Sequence, residues 1–543
     1  MSILHLLRST VVIAIFCCSW AVPVAAMPAV HGSASISSSM AWTHPRYEIG
    51  SPRLRTLYVD YDHGDDAARG TSPDRAFRTL GAAWRSIPMH ATLTTGYQIL
   101  LAPGDYPESA LPTYWESRYG TYQAPILVRP AAAAHSVRLH GYLNIYDTRY
   151  LYLIGVNIVT DRGYGGGGNV VHLEKADHIL LRDCVLDGFD GKVSQPQETL
   201  KANQSRYLFV ENSDISGAFW FALDTMAVEY GHITGSRIHR AGDDCLLLKG
   251  GSASFVVADD EIYDCGVVGI SAGEGSGMEF LVAPWIRFDA YNMLFVNNIV
   301  HDTRNAGLAA RGAFNAAFVG NAFYRIGTDY NNGGPLMLFA FGARGCDGHL
   351  ADCRRNYALG AWGSQNAGDE QEIIPNRNVY VYDNLVINPP PIRTHYSHIT
   401  VFGARKPPSG LHLPSPILAD DNLQIKGNVI WNGPADLEIG PEESDQGCQP
   451  ANRTCNVGQL RADNRWNVAQ PKLVDPSHGD MHVRIGTLPA TPVSVVVPEF
   501  PANDPLGAGL PADSFLSSNT IRVDRDGQPR VPGGAPGAYA TER

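Results

Sequence analysis

The stretch AGDDCLLLKGG, residues 241–251, sets two adjacent carboxyls, Asp243 and Asp244, a few residues ahead of Lys249. Further along the chain on either side stand Lys201, Asp224, Glu274 and Arg311, each ahead of a short apolar run. Acids and cations mixed in this way support two chemistries on a sugar polymer. In the first, a base removes the C5 proton of a uronic acid while cations neutralise the neighbouring carboxylate. Lys249 or Lys201 would be that base, Arg311 the carboxylate clamp, and Asp224, Asp243 and Asp244 the oxygen ligands of a calcium ion. In the second, one carboxylic acid protonates a leaving oxygen and a carboxylate activates water, the two being about 6.5–9.5 Å apart in an inverting hydrolase. Asp224, Asp243 and Asp244 would supply that set. The non-catalytic alternative is a ladder of surface ion pairs, which is energetically almost neutral.

Either chemistry needs something to bring these distant positions together, and the sequence contains it. Short apolar runs recur about every two dozen residues, the period of one solenoid turn. The copies include HILLRDCVL, YLFVENSDI, HITGSRI, FVVADDEI, LFVNNIV, AFVGNAFY, VYDNLVI and IKGNVIW. Five anchors, Asp183, Asn212, Gly235, Asp259 and Asn297, are each followed three positions later by Leu186, Ile215, Ile238, Ile262 and Val300. This pattern predicts an all-β fold, a parallel β-helix; its right-handedness and an N-terminal capping helix are what the resemblance given below implies. Turns of a β-helix stack about 4.8 Å apart, so residues in register form columns. Aligning the apolar runs gives one column of Met226, Lys249, Glu274 and Arg311, preceded by Lys201 and Lys175. Glu198, Asn203 and His232 are expected as polar groove residues that bind substrate with Glu274, with His232 near Asp224. Trp220, Trp285 and Tyr330 are expected to line the groove.

Residues 1–26 read as a secretory signal, with Arg8 ahead of the apolar run Val11 to Cys18 and small residues at Val24-Ala25-Ala26. Residues 27–55 read as a flexible leader and 56–543 as the β-helix, with a loop insertion at about 326–375 and a loop-rich closing segment from about 434. Ser72-Pro73-Asp74 marks the start of a helical face, Ala76 to Ile87, that would cap the solenoid. The chain is then expected to be secreted, periplasmic or extracellular, bacterial in style, monomeric and without a membrane span. Of nine cysteines, Cys346 with Cys353 and Cys448 with Cys455 share a spacing within polar loops and are expected to pair in an oxidising compartment. Cys184, Cys245 and Cys265 are expected to be small buried fillers. The net charge of −12 argues against nucleic acid as a partner and leaves a polysaccharide, anionic or not.

Two parts of the chain carry family resemblances. The segment from TLYVDYDHG to YQILLAPGDY and the closing stretch DRDGQPRVPGGAPGAYATE resemble the two ends of secreted right-handed β-helix proteins of the pectate-lyase-like superfamily. AGDDCLLLKGG resembles the GDDC-type motif of the polygalacturonase family, which implies a hydrolase with Asp243 and Asp244 as the paired aspartates and Asp224 as the third, one turn earlier. Val267-Val268-Gly269 stands where that family has Gly-His-Gly, and Ala309-Ala310-Arg311 where it has Arg-x-Lys. The interval from Asp244 to Lys249 is similar to that of calcium-dependent pectate lyases, which implies β-elimination on a uronic-acid polymer. A lyase is the first expectation, a hydrolase the second, and a carbohydrate-binding envelope protein the third.

Overall fold

Three parallel sheets, of twelve, ten and twelve strands, run the length of the protein and share its successive turns. The computed structural model describes residues 45–160, 168–189, 196–329, 334–394, 396–433, 437–489, 496–501, 519–530 and 534–543. The proposed signal segment therefore lies outside the described residues. A typical turn takes Leu200–Asn203 in the ten-stranded sheet, Arg206–Glu211 in the first twelve-stranded sheet and Asp214–Ala218 in the second. The next turn repeats the order one strand along.

Strand alternation explains the sequence pattern. In the ten-stranded sheet Leu223, Leu246, Ile270, Leu308 and Met337 stack inward, each no more than 1% exposed. Full burial of such a side chain is worth about 1.5–3 kcal/mol, and every turn adds its share. Alternate positions point outward, which is how Lys201 and Lys249 reach the surface of a wall whose other residues are core. The predicted apolar column, Leu186, Ile215, Ile238, Ile262 and Val300, is a register column of the third sheet. Its anchors Asp183, Asn212, Gly235, Asp259 and Asn297 all have positive φ, from 46° to 63°. They turn the corner between sheets, which is why only Asx and Gly occupy those places.

The residue after each anchor builds a polar ladder through the interior. The N–H of Cys184 donates to Ser213 Oγ, that of Ser213 to Ser236 Oγ and that of Ser236 to Asp260 Oδ1, at 3.1, 3.1 and 2.7 Å. The N–H of Asp260 donates to Asn298, which continues through Asn321, Asn384, Asn428 and Asn464. Each of these asparagines accepts from the N–H of the turn before and gives its own amide to a buried carbonyl, as Asn298 does to Val257 at 3.0 Å and Asn321 to Phe295 at 3.1 Å.

Several boundaries differ from the sequence reading. The leader is ordered from Pro45: Tyr47 stacks on Phe209 at 4.5 Å, and its N–H donates to Glu211. The capping helix is shorter than its apolar face, Leu80–Arg85, because Thr79 caps it through Ala82 N–H and Pro73–Arg75 forms a separate 3-10 turn. Its Trp84 packs on Trp115 at 5.0 Å and closes the core. The span read as an insertion contains a regular strand of the ten-stranded sheet, Met337–Ala340. Only after that strand does the chain leave the solenoid, for a side sheet and the helix Leu350–Ala358. The closing segment returns along the anchor corner, where Arg530 donates to Asn297 Oδ1 at 2.7 Å. Cys346–Cys353 and Cys448–Cys455 are disulfides as expected. Cys245 and Cys265 also pair, so they are not simple fillers; the bend before Leu246–Lys249 and the end of Glu261–Cys265 on the next turn bring them together, while Cys184 is free and buried. No helix among the described residues is long and apolar enough to cross a membrane.

One rung of the ladder is an acid. Asp260 occupies an asparagine position, its Oδ2 has no partner, and burial pushes its carboxyl well above the usual range. The unfolded chain ionises this group above about pH 4 while the fold resists ionisation, so its presence costs stability increasingly as pH rises. Asp260→Asn should raise stability by about 1–2 kcal/mol, with a larger gain at pH 8 than at pH 4.5. Thermal denaturation at the two pH values checks this; a variant no more stable than the wild type at pH 8 would contradict the ladder's account of Asp260.

Candidate active site

The charged residues collect on the outward face of the ten-stranded sheet. Lys201, in Leu200–Asn203, and Asp224, in Leu223–Met226, are directly paired across neighbouring strands and form an ion pair. Met226 is paired with Lys249 on the next strand. Continuing that register by one residue puts Gly273 and then Arg311 in line with Lys249, with Glu274 one position beyond. The expected column therefore needs three corrections. Lys201 belongs to the Asp224 column, two residues away from that of Lys249. Glu274 is displaced from the column because the chain leaves the strand Ile270–Ala272 at Gly273. Lys175 sits in a positive-φ turn after its strand, over the Tyr146 ring and against Glu174.

The site is a chain of ion pairs. Lys249 Nζ lies 2.9 Å from Glu274 Oε2 and 3.9 Å from Asp224 Oδ2. Arg311 Nη1 lies 3.9 Å from Glu274 Oε1, and its Nη2 is bonded to Asp244 and, at 2.8 Å, to Ser271 Oγ. Asp244 also accepts from Ser271 Oγ at 2.7 Å and from the N–H of Val268 at 3.0 Å. Depth separates the acids. Asp224 and Asp244 are fully buried, whereas the Glu274 side chain is 30% exposed and Asp243 half-buried.

Electrostatics separate them further. Burial, reinforced by Asp244 and Glu274, pushes the Asp243 carboxyl up to about 7. Burial also raises Asp244 and Glu198. Glu274 goes the other way: burial would raise it, but Lys249 and Arg311 outweigh burial and hold it as a carboxylate. Burial alone would lower Lys249, yet Asp224 and Glu274 reverse that and fix its ammonium charge. Arg311 is likewise held charged, with Asp244, Glu274 and Asp243 overcoming burial.

Residues outside the sequence reading hold this arrangement. Asp289 accepts from the N–H of Glu274 at 2.9 Å, from Ser276 Oγ at 2.9 Å and from the N–H of Gly250 at 3.2 Å. Arg344, fully buried, donates to Asp289 Oδ1 at 2.9 Å. Asp289 comes from a loop between turns and Arg344 from the side-sheet strand Gly342–Gly345, neither of which a repeat flags. Ser271 stands in a repeat but has an unremarkable sequence context. Gly251, in the turn after Lys249, has φ 81°, and a Cβ there would lie 2.1 Å from the carbonyl of Trp285.

Other expected site residues separate into those near the cluster and those elsewhere. Glu198 is buried beside Lys201 and Asp224. Asn203 lies on the same face, its amide 3.2 Å from His172 Nε2. His232 does not approach Asp224: it belongs to Glu229–Thr234 of the first twelve-stranded sheet, where it is buried and bonded to Glu211 at 2.8 Å. Strand alternation sends it to that sheet's outer surface, under the leader. Trp285 is core, Trp220 is exposed, and Tyr330 lies outside the described residues. Asp224 also differs from its expected place. By the strand register, the position one turn before Asp244 is Phe221, and Asp224 stands three residues further along.

Two of the three carboxyls expected to hold calcium are already engaged by cations of the protein. Asp224 is bound by Lys201, and Asp244 by Arg311, Ser271 and a backbone N–H. Among the described residues, the grouping whose ligand atoms lie within 4.8 Å of one another is Glu279, Cys346 and Cys353, and its two sulfurs are already joined as a disulfide.

Residues 169–337, the turns that carry this cluster, match the family model described as a right-handed β-helix region. The chain is a right-handed parallel β-helix protein. One solved structure agrees at the level of fold, and others show a weaker likeness. XylC, solved in complex with xylose, is similar over 90% of this chain and 99% of its own, with 10% identity and a TM-score of 0.50. The pectate lyase Pel9A is similar over 62% of this chain and 78% of its own, at 14% identity and a TM-score of 0.37. A rhamnogalacturonan lyase covers 69% of this chain and 87% of its own, at 13% identity and a TM-score of 0.33. None of the curated proteins matches this β-helix protein significantly in sequence.

Arg311 is the keystone of the ion-pair chain, since it compensates Asp244 and Glu274 together. Arg311→Met should destabilise the protein by about 3 kcal/mol, the cost of leaving buried acids without their cation. Denaturant unfolding measures it; a loss below about 1 kcal/mol, the range of exposed pairs, would show that the network does not need this residue.

Proposed function

We propose that this β-helix protein is a polysaccharide-active enzyme that cleaves a glycosidic bond with Asp243 as general acid and Glu274 as general base. The carrying observation is the pair of partly exposed carboxyls, one pushed up to about 7 and the other held ionised, around one guanidinium. Environments that drive two neighbouring carboxyls apart assign the acid and the base of a hydrolase. Asp243 then protonates the departing glycosidic oxygen, and Glu274 takes a proton from the attacking water. Lys249 and Arg311 keep Glu274 anionic, and Asp289 fixes its backbone. The three disulfides support a place of action outside the reducing cytoplasm.

β-Elimination is the second reading. The recessed cations Lys201, Lys249 and Arg311 favour it, because a lyase must neutralise a substrate carboxylate. Against it, Lys249 as the base would have to release a proton that Asp224 and Glu274 hold on the amine.

Purified protein incubated with a panel of neutral and uronic-acid polysaccharides distinguishes the readings. Hydrolysis yields new reducing ends without ultraviolet absorbance, and elimination yields unsaturated, absorbing ends. Asp243→Asn and Glu274→Gln should each lower kcat by about 10²–10⁴-fold, the range of general acid–base catalysis. The acid must be protonated to act, so kcat/KM should fall as pH rises through about 7, while the depressed Glu274 keeps the acid limb below the ordinary glutamate range. Unsaturated products, or a rate that rises through pH 7, would sink the hydrolase assignment.

A further inference from the structure

The rim beyond Asp243 carries a feature that the acid–base pair does not use. Phe219 and Trp220, neighbours in the chain, are each 44% exposed. Their rings lie 6.2 Å apart at 37° and, with Arg240, Asp243 and Asp264, line an open groove of about 540 Å³. The chain is held there by the N–H of Phe219 donating to Pro196 O and that of Trp220 to Gln197 O, both at 2.9 Å. The backbone supports the two rings while leaving their faces in solvent. An exposed aromatic face beside polar groups suits a sugar ring, which has an apolar C–H face and a polar edge. Because Asp243 belongs to both the groove and the charged recess, a chain stacked on Trp220 runs past the acid.

Charge narrows the occupant. Lys201 is paired with Asp224, Lys249 with Glu274 and Arg311 with Asp244, which leaves no described cation of the recess over for a substrate carboxylate. Each cation already has a carboxylate partner. In the groove Arg240 is bonded to Asp187 at 2.5 Å and to Ser216 at 2.9 Å, so its charge is offset, and Asp264 is the further acid of the lining beside Asp243. A polymer bearing a carboxylate on every residue would meet carboxylates here with no surplus cation to receive it.

We infer that the substrate of this site is a neutral glycan, with one sugar ring stacked on the Trp220–Phe219 platform next to Asp243. This rests on the proposed function for the placement of the cleaved bond, but binding alone tests it. Calorimetric titration of the Asp243→Asn protein at pH 6, in low and moderate salt, would use hexasaccharides of xylose, glucose, mannose and galactose, with hexagalacturonate as the anionic probe. At least one neutral hexasaccharide should bind at least 10-fold more tightly than hexagalacturonate, with little dependence on salt. Adding Trp220→Ala should weaken that binding at least 10-fold, Trp220→Phe should restore most of it, and neither should lower the thermal midpoint appreciably. Tighter binding of hexagalacturonate, no binding of any neutral probe, or an unchanged affinity in Trp220→Ala would each overturn the inference. If a neutral probe binds through Trp220 and the wild-type enzyme leaves it uncut, the hydrolase reading fails and the binding site stands.

Discussion

Everything in this protein depends on the register between turns, and the interior ladder from Cys184 to Asn464 is what holds that register. A parallel strand pair can slip by one residue only by turning its core side chains outward. The ladder adds a second constraint at the corner, where each serine and asparagine rung both accepts from the preceding turn and donates to a carbonyl. A slip would leave these groups unpaired in the interior, where each costs about 1–3 kcal/mol. Because the rungs follow the positive-φ anchors, the corner and the ladder fix each other.

The site uses that rigidity. Its residues come from strands separated by dozens of positions, yet Lys201 meets Asp224 and Arg311 meets Asp244 because register leaves them no other place. The loops and the side sheet supply what the solenoid strands cannot. Asp289 and Arg344 brace the turn that carries Glu274, and the glycine pair after Lys249 lets the backbone pass close to Trp285. Burial then differentiates chemically identical groups. Asp243 and Asp244 are adjacent in sequence, but Asp244 is consumed by Arg311, Ser271 and a backbone N–H, while Asp243 faces the opening. The same aspartate type is structural in one position and available for proton transfer in the next.

These features also separate the two ways of cleaving a sugar polymer. Cations paired one by one with carboxylates have no spare charge for a substrate carboxylate, and a lysine between two acids keeps its proton.

The sequence by itself determined the solenoid. The spacing of Asp183, Asn212, Gly235, Asp259 and Asn297 and the apolar residue three places after each are local consequences of turn geometry and strand alternation, so they are legible without a structure. It also brought Asp224, Asp243, Asp244, Lys249, Glu274 and Arg311 to one region, since a period and a register suffice for that. What it did not determine was their pairing. An offset of one or two residues at a strand end, as at Gly273, is invisible to a repeat but decides which charges touch. Nor could repeats reveal Asp289, Arg344, the Cys245–Cys265 bridge or the burial of His232, because these depend on loops and on which sheet covers which. Tertiary structure decided the protonation states for the same reason: a pKa is set by depth and by neighbours from other turns, and neither quantity is a property of a residue's place in the chain.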